Sequence, residues 1–452
     1  MKKIKSISLV IFLLFGLSIQ AQTKTWTLEE CVKYAIDNNI SIKQTELDTK
    51  TADIDKKGAI GNFIPSLNSN ASHSWNVGLN QDPTTGLLRN QTTQYSSMGV
   101  GVGVDIYKGM QNQNTLRRAN LSIIAAKYQL TKMQEDVALN VANAFLQVLF
   151  NKENLKVQKE QKANNEKQLS RSEELVKAGS VPKGDLLDIK ATVASDGQKV
   201  VAAENALLIS KLSLAQLLQL KEFYDFDVTD ETTVKDENNI LAQTPLAIYD
   251  KAKEQRTELK IAKTNLEIAE KNVAIAKGGY QPTLQGFYNI NTRISYADSY
   301  NFQTGLSSPA PPFSQQFADN RGQAFGAQLN IPIFNGFSAK NNVERSKVNL
   351  EKSKIAVEQE ELALQRNVYT AFTDAKGGLN AYESALSALE ARQEAYNYAK
   401  EKYAVGMMNS FDFNQSQTLF SAAQSEVLRT KYDYIFKIKI LEFYFGIPII
   451  KN

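Results

Sequence analysis

Two stretches of the sequence, 110–178 and 341–404, carry apolar residues spaced mostly by three and four. This spacing is typical of an α-helix with a continuous apolar stripe. At about 1.5 Å per residue, each predicted helix is on the order of 100 Å long. Rods of this length do not fold back into a compact globule, so the chain is expected to build an elongated helical structure.

The two long helices lie at matching places in two similar halves of the chain. Residues 63–67 (FIPSL) resemble 280–284 (YQPTL), an offset of 217, and 105–109 (DIYKG) resemble 332–336 (PIFNG), an offset of 227. The change in offset predicts a loop longer by ten residues in the second half. Self-similarity of this kind predicts an internal tandem duplication.

The predicted repeats are 22–243 and 244–452, and each has the same order of elements. A helix with a capping signal at its start is followed by two strands, the long helix, a turn and a shorter helix. A first and a shorter helix together match the length of the long helix, so they are expected to stack end to end beside it. The predicted bounds are 27–60 and 245–278 for the first helices, and 184–219 and 411–445 for the shorter ones.

The predicted strands alternate apolar residues with glycine or polar residues. Such alternation is typical of a strand with lipid on one side and water on the other, but a half-buried soluble hairpin shows it equally. The clearest alternation covers 99–106 and 325–333, with weaker partner strands at 71–77 and 284–290. Trp26, Trp75, Tyr95, Phe287 and Tyr288 are candidates for aromatic belts at the lipid–water interface.

The start of the chain indicates export. Residues 1–5 are basic, an apolar run follows from Ile7 to Ile19, and Ala21 is a small residue at the predicted cut, so 1–21 reads as a signal peptide. Loss of its three lysines lowers the net charge from +4 to +1. This charge argues against a nucleic-acid groove. No later stretch is expected to be apolar enough for a membrane-spanning helix.

No arrangement of residues predicts catalysis or a cofactor. A single cysteine, Cys31, excludes an intramolecular disulfide and a multi-cysteine metal site. His73 is the only histidine, so it lacks a histidine partner for metal binding. Residues 99–103 (GVGVG) superficially match a dinucleotide fingerprint, but Val104 stands where the last glycine belongs and no helix follows. The chain is therefore not expected to be an enzyme.

Taken in order, these features resemble the TolC family of outer-membrane efflux and secretion channels, over essentially the whole mature chain. A glycine followed six residues later by an aspartate, in both halves, is the most specific part of the resemblance. The residues that carry it are 27–30 (TLEE), Pro65 and Pro282, Gly109 and Gly336, and the two turns 178–185 (AGSVPKGD) and 405–412 (VGMMNSFD).

The resemblance implies a mixed α and β membrane protein, in which a long α-helical barrel is joined to a transmembrane β-barrel. Four strands per chain leave two open edges in lipid, whereas three chains supply enough strands to close a barrel. A homotrimer in outer-membrane lipid is therefore expected, with its helices in the periplasm of a Gram-negative bacterium. The implied partners are a periplasmic adaptor protein and an inner-membrane exporter.

The resemblance also implies roles for the two turns. Gly179, Ser180 and Val181 in the first turn, and Gly406, Met407 and Met408 in the second, are expected to dock the adaptor. A simpler role for both glycines is to end a helix.

A second set of residues is expected to line the closed periplasmic aperture. These are Asp185, Asp188, Asp412, Gln415 and Tyr403. Aspartates at helix starts also have a structural role, because they favour the positive end of the helix dipole. Met408 and Gln415 stand where the family often has a basic and an acidic residue, so a charged latch is not expected here.

A secreted coiled-coil scaffold or adhesin without a pore is the main rival interpretation. It explains the long helices and their polar surfaces equally well. It gives no reason for four strands that alternate glycine or polar residues with apolar ones. The strands therefore favour the channel.

Overall fold

The computed structural model describes residues 25–81, 86–221, 226–229, 239–301 and 303–449. The predicted signal peptide, 1–21, lies outside the described residues. The elements are β1 (Thr25–Trp26), α1 (Leu28–Asn38), α2 (Ile40–Gly61), β2 (Ser66–Gln81), β3 (Leu88–Lys108), α3 (Gln111–Lys177), α4 (Lys183–Leu218), β4 (Asp227–Val228), α5 (Pro245–Gln255), α6 (Thr257–Lys277), β5 (Thr283–Ser295), β6 (Ser299–Asn301), β7 (Leu306–Ser308), α7 (Phe313–Asp319), β8 (Gly322–Asn330), α8 (Ser338–Ala404) and α9 (Ser410–Phe445).

The predicted long and shorter helices are confirmed to within a few residues. α3 and α8 each have 67 residues, and α4 and α9 each have 36. The same lengths recur in both halves of the chain, as the predicted duplication requires. The duplication itself stays a prediction, because equal lengths do not establish a common origin.

Each predicted first helix is in fact two helices. The backbone is extended at Asn39, between α1 and α2, and at Arg256, between α5 and α6. The Asn39 side chain accepts a hydrogen bond from the Ser41 N–H and donates one to the Leu217 carbonyl. A side chain that bonds the next turn's backbone in this way ends one helix and starts another.

The predicted start of the first helix is confirmed. The Glu30 N–H donates to the Thr27 hydroxyl at 3.2 Å, and the Thr27 N–H donates to the Glu30 carboxylate at 3.1 Å. This reciprocal pair is a capping box. In the second half, Pro245 occupies the first helical position and the Thr244 hydroxyl caps the Ala247 N–H.

The chain forms two compact units, and each draws on both halves of the sequence. The helical unit comprises the described residues of 1–47, 128–260 and 359–452, and the sheet unit comprises those of 48–127 and 261–358. α3 and α8 contribute residues to both units.

The core of the helical unit packs α1, α3, α4 and α9 around one apolar cluster. Phe145, Leu149 and Leu214 are among its largest buried side chains. Cys31 and Trp26 also belong to this cluster or pack against it. The prediction that Trp26 belongs to an aromatic belt is therefore wrong, because its ring packs against core aromatics instead.

A buried arginine joins the elements of the helical unit. Arg256 is 4 % exposed. Its guanidinium pairs with Glu258 at 2.9 Å and Glu135 at 3.0 Å, and it lies 3.8 Å from the centre of the Phe443 ring. Burial raises the pKa of Glu135. Burial opposes ionisation of Glu258 too, but the hydrogen bonds and charge of Arg256 outweigh it and lower the pKa of that carboxyl.

The sheet unit is built on a four-stranded antiparallel sheet with the order β2-β3-β5-β8. The register places Leu67 opposite Val102, Val102 opposite Tyr288 and Tyr288 opposite Phe325. Because side chains alternate along each strand, the face that holds these residues carries most of the branched and aromatic side chains, together with polar ones such as His73 and Gln94, and is called the apolar face below. The other face carries mostly glycine, serine, asparagine and glutamine. This two-faced pattern agrees with the predicted alternation.

Most glycines of the polar face lie under a large side chain of the neighbouring strand. Gly101 pairs with Asn289, whose side-chain oxygen lies only 2.6 Å from the position that a Cβ on Gly101 takes. Gly326 pairs with Phe287, whose ring lies 3.0 Å from the equivalent position. Glycine therefore makes room for its cross-strand partner.

The other four candidates for the aromatic belts lie on two different faces of the sheet. Trp75 and Tyr288 lie on the apolar face, as a lipid-facing belt requires. Tyr95 and Phe287 lie on the polar face, and the Arg293 guanidinium stacks on the Tyr95 ring. Tyr95 and Phe287 therefore do not share a face with Trp75 and Tyr288, since one residue of register decides the face, and a belt on a single face cannot hold all four.

Among the described strands, β2 and β8 are the edges of this sheet, and each pairs with a neighbour on one side only. The last strand ends at Asn330, so Ile331 and Ile333 lie beyond it, in contrast to the prediction. Pro332 lacks the N–H that continued pairing needs. Both isoleucines are exposed.

One helix is more apolar than the sequence analysis allowed. Among the described residues, α4 alone contains a stretch long and apolar enough to cross a membrane. However, Glu204 and Lys211 on this helix form ion pairs with Lys159 and Asp227 at 2.8 and 3.0 Å. Such pairs indicate an aqueous setting, because a charge at the centre of a bilayer is costly.

The Arg256 cluster gives a stability prediction. Arg256→Met is expected to lower the free energy of unfolding by about 3 kcal/mol, because Glu135 and Glu258 lose their counter-charge in a buried place. The measurement is guanidinium unfolding in detergent, followed by helical circular dichroism. The stabilisation that Glu258 gives through the ion pair is fully present above the ordinary pKa of a glutamate and is lost as pH falls through the lowered pKa of Glu258. The difference in unfolding free energy between the wild type and Arg256→Met should therefore shrink as pH falls through that lowered pKa.

Arg429→Met is the matched control, because Arg429 pairs with Glu426 on an exposed helix surface. Its expected effect is below about 1 kcal/mol. Equal effects of the two substitutions contradict a special role for the buried pair.

Candidate functional site

The site predicted from the sequence lies in the helical unit, at the turns that join α3 to α4 and α8 to α9. Gly179 and Gly406 have φ angles of 73° and 76°, in the left-handed region that favours glycine. The Ser180 N–H donates to the Leu175 carbonyl, and the Met407 N–H makes the same bond to Lys402, both at 2.9 Å. With the accompanying bonds from the two glycine N–H groups, each turn is a Schellman motif. The predicted role of both glycines in ending a helix is confirmed.

The two turns differ in how the next helix begins. The Asn409 side chain accepts a hydrogen bond from the Asp412 N–H at 2.8 Å and donates one to the Asp412 carboxylate at 2.9 Å. α4 instead follows Pro182, which makes no side-chain cap. Asp185 stands in the first turn of α4, where a carboxylate favours the helix dipole.

A cavity of about 610 Å³ lies between the turns. It brings together seven of the residues predicted for the tips and aperture. These are Ser180, Val181, Asp185, Tyr403, Gly406, Met407 and Met408. The remaining lining comes from Gln168, Arg171, Ser172, Leu175, Ala404 and Asn409.

Four predicted residues are not part of this cavity lining. Gly179 lies in the first turn beside it, and Asp188, Asp412 and Gln415 are exposed on α4 and α9. In a single chain, Asp185 therefore faces the cavity while Asp412 is held at the helix start by Asn409.

The turns are linked by an arginine that the sequence analysis did not select. The Arg171 guanidinium on α3 donates to the Ala404 carbonyl at the end of α8, at 3.3 Å. A carbonyl acceptor gives no sequence signal, because every residue has one. This bond joins α3 to the end of α8 beside the second turn.

Four aromatic side chains hold α8 against α9 just behind the second turn. Tyr403 stacks on Phe413 with 4.6 Å between ring centres, and Tyr396 stacks on Phe420 at 5.1 Å. Burial raises the pKa of the Tyr396 hydroxyl. The two tyrosines are seven residues apart on α8 and the two phenylalanines are seven apart on α9, a spacing that is typical of a coiled coil and is visible in the sequence. These four residues are called the aromatic ladder below.

A buried polar layer lies behind the first turn. Asp196 on α4 is buried, accepts a hydrogen bond from the Asn165 side chain on α3, and pairs with Lys199 at 3.1 Å. Polar residues at core positions of coiled coils fix the register of the helices at a cost in stability. The sequence signal for this polar layer is Asp196 itself, an aspartate at a position of α4 that faces the partner helix α3.

The described residues contain no group of three or more His, Cys, Asp or Glu residues that could hold a metal ion. His73 lies in the sheet unit, where its ring nitrogen bonds to the Ser96 hydroxyl at 2.8 Å. At the second turn, the Met407 side chain and Asp412 are exposed.

The sequence matches the family model described as outer membrane efflux protein over residues 32–219 and 248–439. Among known proteins, it is 23% identical over 385 residues to the outer membrane protein TolC of Vibrio cholerae, covering 83% of this chain and 80% of that protein. It is 28% identical over 142 residues to the toluene efflux pump outer membrane protein TtgC of Pseudomonas putida, which is 29% of this chain and 28% of that protein.

Solved structures show the same fold. The Campylobacter jejuni CmeC outer membrane channel superposes with a TM-score of 0.73 at 17% identity, covering 93% of this chain and 85% of CmeC. A membrane protein from Pseudomonas aeruginosa gives a TM-score of 0.77 at 16% identity, over 92% of this chain and 90% of that protein. The open state of the Neisseria gonorrhoeae MtrE outer membrane channel gives 0.71 at 15% identity, over 93% and 88%.

The aromatic ladder gives a prediction about the tip. Phe413 is 1 % exposed, so Phe413→Ala is expected to destabilise the packing of α8 on α9 by about 3 kcal/mol. Hydrogen–deuterium exchange should show faster exchange in peptides covering 396–403 and 410–420. Phe411→Ala is the matched control, because Phe411 is 70 % exposed. Unchanged exchange in the Phe413 variant contradicts the role of the ladder.

Proposed function

Since this chain belongs to the outer membrane efflux protein family, we propose that it is the exit duct of a tripartite efflux or type I secretion system. Three copies form one passive channel, whose strands cross the outer membrane and whose helices extend into the periplasm. A periplasmic adaptor protein binds the turns, and an inner-membrane exporter delivers the cargo. The observation that carries this proposal is the two-faced sheet with an unpaired edge on each side.

The sheet supports a membrane-spanning role through its two faces. Side chains such as Val77 and Phe325 on the apolar face are exposed in a single chain, and lipid is the environment that covers such a face. The opposite face, with its glycines and asparagines, suits a water-filled interior. The edges of β2 and β8 cannot remain unpaired in lipid, and pairing β8 of one copy with β2 of the next removes both. Three copies of four strands then give the twelve strands of a closed barrel.

Exposed apolar stripes on the helices support assembly with further copies. On α2 and on α8, exposed apolar residues recur at every seventh position. Such a stripe is the seam that a coiled-coil partner covers. The residues are Ile40, Leu47 and Ile54 on α2, and Val348, Ile355, Leu362 and Tyr369 on α8.

The carboxylates near the turns support a selective aperture. In a threefold ring, Asp185 and Asp412 each become three carboxylates, with Asp188 and Gln415 close by in sequence. Rings of carboxylates attract cations and repel anions. Tyr403, fixed by its stack on Phe413, gives the aperture a rigid wall.

The turns themselves supply the surface for the adaptor. Both Schellman motifs expose backbone, and Val405 and Met407 are exposed apolar side chains beside the cavity. The relative TtgC is the outer membrane protein of a toluene efflux pump. This supports coupling of the present chain to a pump in preference to independent action.

Extraction from the membrane tests the proposal. We expect the protein to resist carbonate washing, to need detergent, and to have the mass of a trimer in light scattering. Ala71→Arg on the apolar face is expected to cost about 2–4 kcal/mol in the membrane and to lower the yield of trimer strongly.

Ser72→Arg is the matched control, because Ser72 is the next residue on β2 and lies on the polar face. It should leave the trimer yield nearly unchanged. Release of the wild type by carbonate as a soluble protein contradicts the channel and supports a secreted coiled-coil scaffold.

Single-channel recording tests the aperture. The wild-type trimer in a planar bilayer should prefer cations, and Asp185→Ala with Asp412→Ala should reduce the cation-to-anion permeability ratio by about twofold or more. Recordings at about 0.01 M salt sharpen the test, because the Debye length is then about 30 Å.

Asp55→Ala is the control, because Asp55 is an exposed aspartate of the sheet unit, far along the sequence from both turns. An unchanged ion preference in the double variant removes the aspartates from the aperture while leaving the channel itself intact.

A further inference from the structure

The outer half of the sheet edge is closed by a short helix, α7. β8 pairs with β5 only as far as Asn291, although β5 continues to Ser295. Beyond that point the Gln316 side chain on α7 takes the place of a strand. It accepts a hydrogen bond from the Ser295 N–H and donates one to the Ser295 carbonyl, both at 2.9 Å. The Asn320 amide donates to the Arg293 carbonyl at 2.7 Å.

α7 is held by these polar contacts, and its Phe317 lines a cavity with Ala71 and Met98 of the same chain. Gln316 is the single buried residue of the helix. Phe313 and Phe317 stack with 6.1 Å between ring centres and are 48 % and 43 % exposed. The Thr292 hydroxyl, on the apolar face, donates to the Phe317 carbonyl at 3.2 Å, which places the end of α7 on that side of the sheet.

The two edge strands differ in length. β2 has 16 residues and β8 has 9, so a copy of β2 that pairs with β8 extends past its end. β2 begins at the end of the sheet nearest the helices, where β8 finishes at Asn330. The extra residues of β2 therefore lie at the opposite, outer end, beyond the first residue of β8. Trp75, Val77 and Leu79 in this part lie on the apolar face and are exposed.

We propose that α7 is an interchain docking surface for the outer half of β2 from the neighbouring copy, residues 75–81. The stacked Phe313 and Phe317 rings pack against Trp75, Val77 and Leu79 of that copy. This inference rests on the proposed trimer and adds the contact that sets its register. α7 offers no free strand edge, so the backbone of the neighbouring copy's β2 pairs with β8 alone. The neighbouring β2 therefore cannot shift outward and pair with the part of β5 that lies beyond β8.

Continuity of the edge favours a second copy over lipid as the occupant. The Gln316 and Asn320 contacts place α7 in line with β8, and β8 is the edge that the neighbouring β2 must meet. A helix is about 10 Å wide with its side chains, so α7 reaches beyond the plane of the strands to the neighbour's apolar face. Lipid contact alone gives no reason for a helix that ends the edge.

Disulfide trapping tests the contact. In a Cys31→Ala background, Trp75, Val77 and Leu79 are replaced one at a time by cysteine, each together with Phe313→Cys or Phe317→Cys. At least one of the six pairs should give disulfide-linked dimers and trimers on non-reducing gels. A link within one chain leaves the protein at monomer mass on the gel, so only disulfide-linked dimers and trimers report the contact between copies.

Asn76→Cys with Phe317→Cys is the matched control, because Asn76 lies on the polar face and should not form a link. A detergent-solubilised trimer that gives no link in any of the six pairs overturns the docking surface and leaves the channel standing. A monomer in detergent overturns both proposals. These outcomes separate the failure of the contact from the failure of the proposed function.

A second measurement covers variants that oxidise poorly. Phe313→Ser with Phe317→Ser should lower the temperature at which the trimer dissociates on gels by about 5 °C or more. Gln315→Ala, an exposed change on the same helix, should leave that temperature unchanged. Equal dissociation temperatures for both variants and the wild type contradict the docking surface.

Discussion

Every backbone N–H and C=O group must be paired when the surrounding solvent is lipid, and this requirement governs the sheet. In water the free edges of β2 and β8 are hydrated at little cost. In a bilayer each unpaired group costs several kcal/mol. The apolar face of the same strands is exposed in one chain, which argues for lipid and therefore for paired edges. In the proposed channel, the number of copies, the closure of the barrel and the docking role of α7 all follow from how those edges are satisfied.

The helical unit distributes its interactions unequally around the turns. Within the second hairpin, α8 and α9 are joined by stacked aromatic rings, of which Phe413 is fully buried. Beside the turns, α3 is joined to α8 by a hydrogen bond from Arg171 to the Ala404 carbonyl. A hydrogen bond contributes about 1 kcal/mol net, whereas a buried phenylalanine contributes several. Movement at the tip therefore costs the least free energy where the α3–α4 hairpin meets the α8–α9 hairpin. Each hairpin is expected to move as a unit.

Local signals in the sequence predicted the parts of the fold that depend on local chemistry. The capping box at Thr27, the left-handed glycines and the spans of α3, α4, α8 and α9 are of this kind. The breaks at Asn39 and Arg256 were missed because long-range contacts stabilise them, to the Leu217 carbonyl and to Glu135. α7 was missed because a seven-residue helix inside a predicted loop has too few turns to show a period. At the site, the turns were predicted, but Arg171 was not, because its acceptor is backbone.

The glycine alternation of the strands specifies more than a polar face. Gly101 and Gly326 each stand opposite a large side chain, Asn289 or Phe287, which occupies the space above them. Small and large residues thus pair across the strands of this face, and the opposite face keeps its branched and aromatic side chains undisturbed. Because successive residues of a strand point to opposite faces, the sequence can set the two surfaces independently. A strand that must meet lipid on one side and water on the other requires that independence, and a scaffold in water does not.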